Sequence, residues 1–332
     1  MRILVVAICL LLAGCGGKSD RAKVTIANIG PGLQTYCLPI ILGQSLGYFN
    51  EEGLDVNVEY LPSSAKAMQA LVGGSVNVAG LMYQQNIQLA AEGQHVRSFF
   101  VMTRRDTRVL LVAPAASERI RRVEDLKGAT IGIGTFGSPS HLWLISILAR
   151  HGLGTADFKT VKIGFGASGS AAIEKGVVEA FTTSGGDHFL LLERYPSMRV
   201  LADTSTTEGM RETYGADEYA GGTVSARQDW LDRNPDAPRQ LARALLRAQK
   251  WMAVHSPEEI RARLPEGFRS ANASIDAKSI QASLASFTVA GAMPKGAPET
   301  VKRMLDEAVD NVRTAKIDLA ATWTDEYLPG VK

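Results

Sequence analysis

The strongest constraint in this chain is an alternation of short apolar runs with helix-period segments that plays out once, stops and starts again. Positions 24–27 read as a strand, followed by a Gly/Pro loop at 30–32. A helix is predicted over 39–46, with Pro39 in the first turn, where a missing N–H costs nothing. Positions 56–60 alternate as a half-buried strand should. Met68, Leu71 and Val72 form a helical stripe ended by Gly73 and Gly74. A strand over 76–79 and a helix over 86–91, stopped by Gly93, complete the first run.

The order restarts after the apolar run 109–113. Strands are predicted over 129–133, 160–163, 178–182 and 199–201, with helices over 140–150 and before Gly176. Strands alternating with helices indicate α/β units with mainly parallel sheets. A restart within 332 residues indicates two such units, at about 100–200 residues per domain. From Asn234 the pattern is helical. Pro235 and Pro238 sit in a first turn, and Leu241, Leu245, Ala248 and Met252 share one face. Val301, Met304, Leu305, Ala308, Val309 and Val312 follow the i, i+3, i+4 rule. Both stripes are expected to pack back onto the first unit, which makes one lobe discontinuous.

The balance of 36 Lys+Arg against 34 Asp+Glu, with basic residues scattered, leaves no footprint for nucleic acid. The N-terminus is an address. Arg2 precedes an apolar run over 3–12, too short to span a bilayer, which needs about 20 residues. Small residues follow before Cys15, as in a secretory signal. Leu12-Ala13-Gly14-Cys15 resembles the bacterial lipobox, so 1–14 is expected to be removed and Cys15 acylated. Residues 15–22 are then a tether, and the protein is exported and anchored by lipid in the cell envelope, at the periplasm or cell surface. Cys9 leaves with the signal, so Cys37 has no partner for an internal disulfide. In its apolar stretch it reads as a buried small hydrophobe.

Gly132-Ile133-Gly134-Thr135-Phe136-Gly137 and Gly164-Phe165-Gly166-Ala167-Ser168-Gly169 both spell G-x-G-x-x-G after a strand. Their context argues against a dinucleotide. The acid about 20 residues past Gly137 is Asp157, which precedes its strand instead of ending it. The second loop's unit is shorter than the ~30 residues expected, and its acid, Asp187, lies beyond the strand. The loops retain free N–H groups at helix starts, which favour an anion. Ser138, Ser140 and Ser168 add hydroxyls there, and helix capping explains them equally well. His141 can donate to an anion or simply pack. The five histidines lack metal spacing, no P-loop occurs, and Ser170 spoils the one near-match to a nucleophile elbow. No catalytic centre, metal or cofactor is expected.

Pro39-Ile40-Ile41-Leu42-Gly43-Gln44-Ser45-Leu46-Gly47-Tyr48-Phe49 with Glu52-Gly53-Leu54-Asp55-Val56 resembles the opening of the nitrate/sulfonate/taurine-type substrate-binding proteins of ABC importers. Gly73-Gly74-Ser75-Val76-Asn77-Val78-Ala79 is similar to their next signature, with Asn77 where an aspartate is usual. Val123-Glu124-Asp125-Leu126-Lys127-Gly128, Gly137-Ser138-Pro139-Ser140-His141 and Asn234-Pro235 match further motifs in order. The resemblance implies an α/β, two-lobed, periplasmic-binding-protein-like fold of type II, with a central ligand cleft and two crossover strands. Lobe I would comprise 23–108 and 221–332, and lobe II 109–220. The implied partners are a small-molecule ligand, a permease and its ATPase, with the binding protein a monomer.

By the same resemblance, ligand contacts fall on Gln34 and Tyr36, on Tyr83 and Gln84, on Ser138, Ser140 and His141, and on Ser168. The segment after 178–181 also faces the cleft, which brings in Ser184 and Asp187. Ser184-Gly185-Gly186 stands where sulfonate binders often show Trp-Asp-Pro. Asp187 either pairs with a ligand amine or caps its helix. The solute is expected to be a small anionic or zwitterionic organic molecule of the sulfonate, taurine, nitrate or carboxylate class. The alternatives are a ligand sensor for a membrane signalling partner and a binder of a thiamine-precursor pyrimidine or aromatic compound. The pyrimidine synthases that resemble this family carry a cysteine-rich iron motif that three scattered cysteines cannot supply.

Overall fold

The structure, a computed structural model, describes residues 21–30, 32–164, 167–184 and 187–331. The expected signal segment, Cys15 and the tether up to Asp20 lie outside the described residues, and Ala22 already belongs to the first strand.

The described strands are β1 (Ala22–Ile29), β2 (Leu54–Leu61), β3 (Val78–Met82), β4 (Val96–Val101), β5 (Arg108–Val112), β6 (Thr130–Ile133), β7 (Lys159–Lys162), β8 (Ala180–Ser184), β9 (Arg199–Asp203) and β10 (Gly222–Arg227). They form two five-stranded sheets with the orders β2-β1-β3-β10-β4 and β7-β6-β8-β5-β9. In each sheet three strands run parallel, and the strand that has just crossed from the other sheet inserts antiparallel as the fourth. The sheets are therefore mixed, and the expected parallel ladders occupy only one side of each.

Local chemistry accounts for the elements. Ser63 caps the helix Ser64–Gly73, which Gly74 ends with φ 78°. Asn77, at the position where an aspartate was expected, accepts the Thr25 N–H at 2.8 Å through Oδ1, while its own N–H donates to the Thr25 carbonyl. The side chain pins the turn before β3 to β1, and an amide oxygen serves this as well as a carboxylate would. β4 was not anticipated, because Arg97 and Ser98 interrupt its apolar run. Arg97 leaves the sheet to donate to the Trp323 carbonyl.

The C-terminal stripe departs from expectation in two ways. The helix Ala297–Ala308 stops at Val309, whose φ of −137° is extended, and a separate turn Asp310–Thr314 carries Val312. Its apolar face also does not pack on the first unit alone. Val301, Met304 and Leu305 join one cluster with Trp143 and Ile147 of the helix Pro139–Arg150 and with Ile87 of the helix Gln84–Ala91. The side chains that face this helix come from both units, so it lies across their junction.

Two connections carry the chain between the sheets, through 102–107 and 215–221, and they run side by side. Gly221 N–H donates to the Thr103 carbonyl at 2.9 Å, Met102 N–H to Gly222 at 2.8 Å, and Tyr219 N–H to Arg104 at 3.1 Å. Among the described residues, no helix is long and apolar enough to cross a membrane.

Candidate functional site

In open α/β sheets, ligands lie beyond the carboxyl ends of the parallel strands. Here those edges of the two sheets face each other across the paired connections. Side chains alternate along a strand, so cluster membership tells the two faces of the second sheet apart. Leu110, Val112 and Ala180 pack with the helix Pro139–Arg150, whereas Val109, Leu111 and Phe181 pack with Ile173 and Leu191 on the opposite face. Arg108, Thr182 and Ser184 share the first face, and Arg108 stands directly opposite Ser184 in register.

Arg108 is 3% exposed, and its Nη1 forms an ion pair with Asp106 Oδ2. Asp106 also accepts the Tyr214 hydroxyl at 2.6 Å and the Thr107 N–H at 2.9 Å. Arg108 Nη2 donates to Gln84 Oε1 at 3.2 Å, tying the hinge to the loop after β3. Tyr219 stacks on Tyr214, with centroids 4.8 Å apart, and its hydroxyl lies near the guanidinium without a hydrogen bond of good geometry. Burial works against the Arg108 charge, but Asp106 and the two tyrosines outweigh it and hold the guanidinium above its ordinary range.

Several polar atoms in this region are sealed from water and have no partner. They are Gln84 Nε2, Tyr219 Oη, Thr182 Oγ1 and both amide atoms of Asn28 at the carboxyl end of β1. An orphaned buried polar group costs about 1–3 kcal/mol. Such groups are tolerated where something else completes them; Gln84 and Tyr219 stand beside Arg108, and Thr182 shares its face of the sheet.

The structure sorts the expected residues. Gln84 is in this cluster. Tyr36 lies over Gly222, where an added Cβ would come within 2.7 Å of its ring. Burial and the adjacent Cys37 push its hydroxyl well up, and the field of Arg108 acts in the opposite sense. Gln34 is half-buried beside it and makes no side-chain cap. Ser184 is half-buried next to Arg108. Tyr83 is placed apart from Gln84. Its ring is fully buried in the cluster that holds Ile87 and Leu305, and its hydroxyl is paired with Thr322 at 2.5 Å. As successive residues at a helix start, the two cannot point the same way.

Ser138 caps the helix Pro139–Arg150 by accepting the His141 N–H at 3.3 Å, and Ser140 is buried in its first turn. Gly137 has φ +70° and donates its N–H to His141 Nδ1 at 3.0 Å, so the ring proton sits on Nε2. A Cβ at Gly132 would meet the tip of Ile163 at 2.6 Å and Phe181 Cβ at 3.1 Å. Gly132 and Gly137 of the first motif thus have local roles that need no pyrophosphate. The strand before the second loop, β7, runs parallel to β6, but the helix Ala167–Glu174 lies on the opposite face from Arg108, and Ser168 there is exposed. Asp187 begins the helix Asp187–Arg194, and its side chain lies outside the described part of the structure.

Arg108, Asp106, Tyr214, Tyr219, Thr182 and Asn28 were not singled out from the sequence. The usable signal was a charged residue placed directly before the apolar run 109–112. Cys37 behaves as expected. It is buried, and its thiol is pushed up to about 12, so it stays protonated.

Two predictions arise here. Ser138→Ala should cost about 1 kcal/mol of stability through the lost cap, read by chemical denaturation. Burial also lowers the His141 pKa, so the folded state favours the neutral ring. That contribution is present above the unfolded value of about 6.5 and is lost as pH falls through the lowered folded value. His141→Gln should flatten the stability–pH curve in that window, and an unchanged slope would contradict the assignment.

The sequence model of the NMT1/THI5-like family matches residues 34–260. A Bordetella bronchiseptica protein of solved structure is 30% identical, with TM-score 0.82 over 92% of this chain and 95% of that one. YtlA of Bacillus subtilis, a presumed binding protein by name, is 24% identical over 279 residues, 81% of this chain and 78% of its own. The periplasmic aliphatic sulphonate binding protein SsuA of Escherichia coli is 19% identical, with TM-score 0.73 over 92% and 99% of the two chains. The fold is the two-lobed periplasmic-binding-protein fold that the motifs implied. The matched segment runs from the loop bearing Tyr36 through both connections and Arg108 to the helices that follow β10, and on that span the chain belongs to the NMT1/THI5-like family.

Proposed function

We propose that this chain is the solute-binding component of an ABC importer, exported and held to the envelope by lipid on Cys15. It captures a small anionic or zwitterionic organic solute between lobe I (23–108 and 221–332) and lobe II (109–220). As a monomer it hands the solute to a membrane permease and its ATPase. The observation that carries this reading is the set of sealed, unpartnered polar atoms, Gln84 Nε2, Tyr219 Oη and Thr182 Oγ1, around Arg108 where sheets and connections meet. The E. coli neighbour, by name a sulphonate binder of the same fold, supports the class of solute.

Physically, capture is a hinge equilibrium. A solute that touches both lobes favours the closed arrangement by its differential contacts, and no bond is made or broken. A protonated Cys37 and a neutral, hydrogen-bonded His141 supply no nucleophile–base pair.

The test is a thermal-shift panel on the chain from Gly16 with sulfonates, taurine, nitrate, bicarbonate, carboxylates and pyrimidines. A ligand at 100 times its Kd stabilises by about 2.7 kcal/mol, a shift of several degrees. Tyr219→Phe sharpens the test. It removes a hydroxyl beside the Arg108 guanidinium, so affinity should fall about tenfold or more while stability changes by no more than about 1 kcal/mol. Loss of stability with unchanged affinity would place Tyr219 outside the site, and consumption of a ligand would overturn the binding-only reading.

A further inference from the structure

We propose that the solute cleft extends to its rim. A groove there, between Phe189 and the helix Ala273–Leu284, holds an apolar, aromatic-sized end of the solute, while the anionic end lies toward the hinge. This rests on reading the chain as a solute binder, and it narrows the solute from any small anion or zwitterion to an anion with an apolar end.

The groove has a volume of about 710 Å³. Phe189 forms one wall, on the helix Asp187–Arg194 that follows β8 of the second sheet. Pro257, Ala273, Ala277 and Ala282 line the other, on helices that pack over Cys37 and Leu38 of the first unit. A molecule lying there touches both units, as one that favours closure must. Both walls lead back to the cleft. The helix Ala273–Leu284 contacts the turn Thr35–Cys37, which carries Tyr36, and Phe189 follows closely after Ser184, the register partner of Arg108. Small side chains at 273, 277 and 282 leave a slot, and the phenyl ring opposite gives it an apolar face, which suits a flat apolar group. Nitrate or bicarbonate displaces only a few water molecules, on the order of 100 Å³ at about 30 Å³ each, and fills little of it.

Charge tells the two ends apart. Lys278 is the one cation among the residues that line the groove, and Glu193 holds it at 2.6 Å. Glu258 lines it too and makes no ion pair among the described residues. An anionic group gains nothing there. At the hinge the balance is reversed. Arg104, Arg108 and Arg211 pair with Glu218, Asp106 and Asp217. Arg105 makes no ion pair; it donates to Thr207 Oγ1 at 2.8 Å and keeps a sealed Nε without a partner. Four arginines against three carboxylates leave a positive excess that attracts an anion. Gln84 Nε2, a sealed donor beside Arg108, serves the same end of the solute. An anion drawn to the hinge turns its remaining bulk toward the rim.

Phe189 is thus a specificity-determining residue, and three matched pairs of probes test it: acetate and methanesulfonate, benzoate and benzenesulfonate, 4-phenylbutyrate and 3-phenylpropane-1-sulfonate. Each pair keeps the anionic heads, and the ring is added at increasing reach. For the wild-type protein, calorimetry is expected to show affinity rising about tenfold or more from the first pair to the phenyl pair that reaches the groove. Phe189→Ala removes one wall and Ala277→Leu fills the slot, so each should abolish most of that gain and leave the first pair unchanged. Should Phe189→Ala fail to fold, Ala277→Leu, at a half-buried position, carries the test. Phe189→Trp keeps the wall, and emission from the new indole should change with the phenyl probes alone. Phenyl probes that bind the wild type no more tightly than the first pair would overturn the inference while leaving solute binding intact. So would a gain that survives both variants, or indole emission indifferent to the phenyl probes. A wider panel in which only taurine, inorganic anions or uncharged pyrimidines bind would overturn it equally. Absence of binding by every probe, with no shift in the wider panel either, would overturn the solute-binding reading itself.

Discussion

Arg108→Gln is expected to destabilise the protein by about 3–5 kcal/mol and to abolish solute binding. The substitution leaves Asp106 buried, held by Tyr214 and the Thr107 N–H but without its counter-charge. Breaking a buried pair by removing one partner costs that much because the survivor stays desolvated. In a chain of this size the loss corresponds to a fall in Tm on the order of ten degrees. The double variant with Asp106→Asn should recover most of the stability, since neither position then holds an uncompensated buried charge. It should not recover binding of the wild-type ligand to the same extent, because Gln84 also loses the donor that orients its amide. Additive losses in the double-mutant cycle would show that the two residues do not act as a pair.

The second large effect is expected at Gly221, where the two connections come closest. A Cβ there would stand 2.3 Å from Thr103 Oγ1 and 2.6 Å from the Arg105 carbonyl. The second contact is with backbone, so no side-chain rotation relieves it. Gly221→Ala must push the connections apart, at the expense of the Gly221–Thr103 and Met102–Gly222 hydrogen bonds. Overpacking of this kind costs about 1–3 kcal/mol, and lost backbone bonds add to it. Because the pairing sets how the lobes meet, affinity should fall along with stability. By contrast, Gly47→Ala meets nothing within 4 Å and, at φ +78°, should show only local backbone strain with binding retained. Equal affinity losses in the two variants would remove the hinge from the explanation.

How far the sequence reads depends on the range of the interaction involved. The strand–helix alternation is local, so the runs around Ile26, Val58, Ile131 and Phe181 appear in the structure as β1, β2, β6 and β8, and the restart after β5 marks the second sheet. Ser138 was legible as a helix cap because capping is set by residues three apart. The heart of the site was not, because it depends on partners far apart in the chain. Arg108 meets Gln84, Tyr214 and Tyr219 only once two crossovers have formed, and its place directly before the apolar run 109–112 marks the residue without marking those partners. Tyr83 and Gln84 show the same limit at short range. Adjacent residues entered the expectation together, and the helix start sends one into the core and the other to the hinge. The C-terminal stripe had the right face but only one of its two neighbours, since an apolar stripe specifies burial and not what covers it.

If the lobes close on a solute, the rim between them reports it most directly. Lys278 on the helix Ala273–Leu284 and Glu193 on the helix Asp187–Arg194 form an exposed ion pair across the rim at 2.6 Å. Such a pair is worth little, at most about 1 kcal/mol, so both positions tolerate replacement by labelled cysteines. In the chain from Gly16, buried and protonated Cys37 would remain unlabelled. Distances between spin labels at 193 and 278 should then be measured with and without the tightest ligand of the panel. A long or broad distribution is expected in the free protein, collapsing to one short distance at saturation. The same distribution in both states, with binding verified by calorimetry, would contradict capture by lobe closure.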